Sequence, residues 1–77
     1  MSETPNLIVD ARGLSCPQPV LLLRQAIKPL APASRVSLLA SDPMASVDVR
    51  VYCLRAKHHL LTETAVGDHH RFDIERG

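Results

Sequence analysis

Tryptophan is absent, and Tyr52 and Phe72 are the whole aromatic complement of the 77 residues. A core without aromatic bulk must rest on Leu, Val, Ile and Ala, at a length where small domains bury barely enough surface to fold alone. The same shortage leaves few platforms for stacking nucleic-acid bases. Nine basic residues are interspersed with eight acidic ones for a formal net charge of +1, and no basic block stands out. Direct nucleic-acid binding and attraction to a membrane surface therefore lack an electrostatic footprint.

Cysteine is equally scarce. Cys16 and Cys53 are too far apart for a CxxC redox pair and too few for a zinc site or a disulfide framework, so a reducing cytoplasm is the expected setting. Residues 1–5 lack the positive region and apolar run of a signal peptide, and the apolar run 20–23 is far too short to cross a bilayer. Lys28 and Lys57 are the only lysines, and nothing around them resembles a pyridoxal phosphate site, so no cofactor is expected. With 45% hydrophobic and 22% charged residues and no linker or repeat, residues 1–77 read as one small soluble domain.

Hydropathy patterning gives the element order. Residues 7–10 read as a short strand ended by Arg12-Gly13, where glycine permits a positive φ. Pro17 fits the first position of a helix, and Val20, Leu23, Ile27 and Leu30 recur at helical spacing until Pro29 stops or bends it. Val36, Leu38 and Ala40 alternate with Ser37, Leu39 and Ser41 in a second strand. Asp42-Pro43 then reads as the cap and first position of a helix reaching about Lys57, with Ala45, Val49, Tyr52, Cys53 and Ala56 on one face. Residues 58–64 and 70–75 read as strands joined through Gly67-Asp68. The expected fold is α/β (α+β): a βαβαββ two-layer sandwich with a four-stranded mixed sheet and both helices on one face.

The chemistry concentrates at Gly13-Leu14-Ser15-Cys16-Pro17-Gln18-Pro19. A cysteine at or next to a helix N-cap meets unpaired N–H groups and the positive end of the helix dipole, an environment that lowers a thiol pKa. The expectation is a reactive thiolate at Cys16. Cys53, on an apolar helix face, reads as a small core hydrophobe. Arg12 and Arg24 are candidates to stabilise a Cys16 anion, Asp10 to fix the cysteine loop through backbone N–H bonds, and Asp42 to cap its helix. The pairs His58-His59 and His69-His70 offer only one imidazole each to a common site if they lie on strands, so no metal site is expected.

The stretch from Val9 through Asp10, Gly13-Leu14 and Cys16-Pro17-Gln18-Pro19, with Arg24 further on, resembles the start of the TusA/SirA-like sulfur-carrier family, whose hallmark is Cys-Pro-x-Pro. Ser41-Asp42-Pro43 followed by Asp48-Val49 extends the likeness, which covers about residues 9–74. The resemblance implies a sulfurtransferase acting through a cysteine persulfide. Cys16 would accept a sulfane sulfur from a cysteine desulfurase or rhodanese-like donor and relay it to an acceptor such as a DsrE-like complex, for tRNA thiolation or another sulfur route. Gly13, Pro17, Pro19, Arg12, Arg24 and Asp10 would support it. The chain departs from the family's commoner pattern at Gln18, often glutamate, and at Ala33, frequently glycine. The competing reading is a noncatalytic interaction or regulatory module in which Cys16 only packs, and it predicts an unreactive thiol.

Overall fold

The computed structural model describes residues 7–77; residues 1–5, read above for a missing signal peptide, lie outside the described residues. Six elements follow one another: β1 (Leu7–Ala11), α1 (Gln18–Ile27), β2 (Arg35–Ala40), α2 (Ala45–Ala56), β3 (His59–Val66) and β4 (His69–Glu75). This is the expected βαβαββ order. The strands form one mixed sheet in the order β1-β2-β4-β3, with β1 parallel to β2 and the other neighbours antiparallel.

Strand alternation decides what each sheet face carries. Val36 and Leu38 lie opposite Ile74 and Phe72 in the β2–β4 ladder, and Ala40 lies opposite Ala11 in the β1–β2 ladder; all six are buried. Onto this face α1 brings Leu23 and Ile27, and α2 brings Ala45, Val49 and Cys53. Fully burying each large side chain among these stabilises the fold by about 1.5–3 kcal/mol. Ser46 and Arg50 of α2 both donate to Glu63 of β3, at 2.6 and 3.1 Å, and so fix the helix over the sheet. The opposite sheet face is polar: Ser37 and Thr62 donate to Asp73 at 2.6 and 2.7 Å, and Arg71 donates to both Ser37 and Asp73 at 3.1 Å.

Several boundaries differ from the sequence expectation for local reasons. Pro17 is the N-cap of α1, because Gln18 is the first residue to join the helical pattern. Asp42 accepts the Met44 N–H through its side chain and the Ala45 N–H through its carbonyl, which makes residues 42–45 a turn and delays α2 to Ala45. The helix ends at Ala56, which is exposed rather than packed, because Lys57 adopts a left-handed conformation with φ 62°. His58 precedes β3, and its Nδ1 accepts the Gly77 N–H at 3.0 Å. The hairpin strands run closer to Gly67-Asp68 than expected; Gly67, at φ +58°, opens the two-residue turn.

Candidate functional site

Parallel pairing of β1 with β2 places their carboxyl ends side by side, Ala11 opposite Ala40, so the loops that follow meet at one end of the sheet. In open α/β sheets, ligands gather outside such strand ends. Two bonds stitch the loops together, and a third shapes the second loop. The Gly13 N–H donates to Ser41 Oγ at 2.8 Å, the Cys16 N–H to Asp42 Oδ2 at 2.9 Å, and the Met44 N–H to Asp42 Oδ1 at 2.8 Å. Gly13 sits at φ +80°, in the left-handed region that favours glycine, which lets the chain leave β1 and deliver Cys16.

Cys16 is exposed and precedes the α1 N-cap by one residue. Its Sγ donates to Asp48 Oδ2, from the first turn of α2. A pocket of about 410 Å³ opens beside it, walled by Pro17 and Val20 on one side and by Asp48, Val51, Tyr52 and Arg55 of α2 on the other. Met44, Val47, Val51 and Leu54 add exposed apolar surface on and before α2, Leu54 at 81% exposure.

The surroundings of Cys16 act against the acidic thiol that its place before a helix suggests. The Cys16 pKa is pushed up to about 11 by the hydrogen bond to Asp48, then by partial desolvation, then by the negative charges of Asp48 and Asp42. The helix end has little to set against this. Pro17 and Pro19 carry no N–H, the Gln18 N–H is spent on the Ser15 carbonyl at 2.9 Å, and the Leu21 N–H on Pro17 at 3.1 Å. The prolines that mark the helix start in sequence also remove donors that would have stabilised an anion there.

The supporting residues fall in different places. Asp10 accepts the Arg12 backbone N–H at 3.1 Å and its guanidinium at 2.9 and 2.8 Å; these bonds hold the Asp10 carboxyl near pKa 2 and occupy Arg12. Arg24 lies exposed in the last turn of α1. Among the described residues, neither arginine bonds Cys16. Pro19 is fully buried and anchors the first turn of α1. Cys53 is buried, and burial pushes its thiol up to about 11. The cation lining the pocket is Arg55, to which no sequence motif points. Asp48 is a motif position in the sequence, and the start of α2 at Ala45 is what sets it in the first turn, within reach of Cys16.

The family model described as Sulfurtransferase TusA matches residues 7–76. The chain belongs to this family of sulfur-carrier sulfurtransferases. No described helix is long and apolar enough to cross a membrane.

Proposed function

We propose that this chain is a persulfide carrier in which Cys16 takes a sulfane sulfur from a donor protein, a cysteine desulfurase or a rhodanese-like enzyme. It then passes that sulfur to an acceptor protein serving tRNA thiolation or another sulfur route in the cytoplasm. The observation that carries the reading is an exposed thiol at the carboxyl ends of two parallel strands, beside a pocket and an apolar rim, in a member of the TusA family.

In the transfer, the Cys16 thiolate attacks the outer sulfur of the donor persulfide. A new S–S bond forms to Cys16, the donor's own S–S bond breaks, and the donor thiolate leaves with the electron pair and takes up a proton. The sum is one thiol and one persulfide on each side, with no external oxidant. The Cys16 persulfide is attacked in turn by the acceptor thiolate.

The raised Cys16 pKa favours the second reading, a noncatalytic interaction module with a quiet thiol. Sulfur loading separates the two. Incubation with a cysteine desulfurase and cysteine, followed by intact-mass and peptide mass spectrometry, is expected to show one added sulfur that persists in Cys53→Ser and disappears in Cys16→Ser. Normal loading of Cys16→Ser would assign the chemistry elsewhere, and no loading of the native chain would leave the interaction module.

A further inference from the structure

Two carboxylates flank Cys16, and both differ from the others in the fold. Asp10, Glu63, Asp68, Asp73 and Glu75 each sit against an arginine or histidine, at 2.8 to 3.8 Å. Asp42 and Asp48 have no ion pair among the described residues. Asp42 spends its oxygens on the Cys16 and Met44 backbone N–H groups, whereas Asp48 meets the thiol itself. Besides Cys16 and Asp48, the pocket is lined by Pro17 and Val20 at the start of α1 and by Val51, Tyr52 and Arg55 of α2, so Arg55 is its one cation among the described residues. Arg55 lies seven residues along the helix from Asp48, a rise of about 10 Å, and makes no ion pair with it.

We propose that Asp48 is a positioning residue which keeps the Cys16 thiol protonated in the free carrier, and that a cationic side chain of the sulfur-donor protein, pairing with Asp48 on docking, releases the thiolate. The proposal rests on the sulfur-carrier reading. A carboxylate accepting an S–H bond stabilises the thiol over the thiolate, and its own charge repels the anion. A guanidinium or ammonium placed on that carboxylate withdraws the acceptor and cancels the repulsion. The apolar rim of Met44, Val47, Val51 and Leu54, once covered by a partner, excludes water and strengthens the new pair. The proton leaves to solvent, the thiolate attacks as above, and the departing donor thiolate recovers a proton, so charge and atoms balance. The resting carrier is thereby protected from adventitious alkylation and oxidation, which require the thiolate. The raised Cys16 pKa is then the resting state of a docking-dependent thiol.

The test uses the full chain, Asp48→Asn and Asp48→Glu. Cys16 alkylation by iodoacetamide, resolved from Cys53 by peptide mass spectrometry, is followed between about pH 6 and 11. Single-turnover sulfur loading is measured alongside, from a persulfide-loaded cysteine desulfurase and from inorganic polysulfide, which brings no cationic side chain. Asp48→Asn is expected to move the alkylation profile down by about 1–2 pH units and to speed neutral-pH alkylation about three- to tenfold, since the gain in thiolate is partly offset by lower nucleophilicity. The same variant should accept polysulfide sulfur faster and desulfurase sulfur more slowly than the native chain, while Asp48→Glu, retaining the charge, keeps the native order. Superimposable alkylation profiles for the native chain and Asp48→Asn would overturn the resting-state restraint. Equal pH profiles for the two sulfur donors in the native chain would overturn the docking step. Failure of every variant to take sulfur from either donor would instead remove the sulfur-carrier reading and the docking step with it, while the alkylation profiles still report on Asp48.

Discussion

Asp42 holds Cys16 by its backbone: Oδ2 accepts the Cys16 N–H at 2.9 Å across 26 residues of sequence. The other carboxylate oxygen takes the Met44 N–H at 2.8 Å, so one side chain sets both the cysteine loop and the approach to α2. Asp42→Ala removes both bonds and a negative charge beside the thiol. Two effects then oppose each other, because losing the charge makes Cys16 more acidic while losing the bond lets it wander. Misplacement of a reacting atom by about 1 Å costs on the order of a hundredfold, which outweighs the gain in thiolate. Asp42→Ala should therefore alkylate faster yet accept desulfurase sulfur at least tenfold more slowly by single-turnover mass spectrometry, with a melting temperature lower by circular dichroism.

The alkaline limit of stability follows from the cysteines. Both thiols stand at about 11 in the fold against an ordinary 9.0, and burial also raises the Tyr52 hydroxyl. Between those values the native state keeps protons that the unfolded chain releases, so the stability they contribute is fully present below about pH 9 and lost as pH rises towards 11. Urea unfolding midpoints should be flat with respect to this effect below pH 9 and fall above it. Cys16→Ser and Cys53→Ala should each flatten part of that fall, and an unchanged alkaline slope in both would contradict the raised values.

Arg12 offers a clean check on what supports the thiol. Its guanidinium is engaged by Asp10, whose carboxyl it holds near pKa 2, so the corresponding stabilisation is present above about pH 4 and lost as pH falls towards 2. Arg12→Gln should raise the Asp10 titration towards 3.8 in carboxyl-detected NMR and reduce the loss of stability in acid. The Cys16 alkylation profile should stay where it is. A shift there would restore Arg12 to the role that the sequence suggested.

The elements were legible because each carries its own periodicity. Val36 and Leu38 alternate on β2, Leu23 and Ile27 repeat along α1, and Gly67-Asp68 marks the hairpin. The cysteine loop was legible as well, since Gly13 and the two prolines constrain the backbone locally. What was not legible is the sign of the electrostatics at Cys16. That sign depends on Asp48, 32 residues away, and on how the helix donors are spent, and both arise only when the parallel strands bring two loops together. Arg24 illustrates the converse: its nearness in sequence to Cys16 suggested support, but its position in the last turn of α1 sets it away from the helix end where the thiol lies.

Ala33 supplies a prediction that joins sequence to backbone geometry. It adopts φ 71°, a left-handed conformation that crowds its Cβ against the carbonyl. The conformation is imposed from both sides. The Ala33 N–H donates to the Arg76 carbonyl at 2.9 Å, and the Arg76 N–H donates to the Ser34 carbonyl at 2.8 Å, closing the turn against the chain end. Glycine keeps those bonds and removes about 1–2 kcal/mol of steric cost, while its extra freedom in the unfolded chain takes back about 0.4–1 kcal/mol. Ala33→Gly should thus gain up to about 1.5 kcal/mol and melt a few degrees higher, and Ala33→Val, with a branched Cβ, should melt lower than the native chain. Because residue 33 is exposed and lies at the opposite end of β2 from Cys16, sulfur loading should not change in either variant. A lower melting temperature for the glycine variant would mean that the turn, rather than tolerating alanine, depends on it.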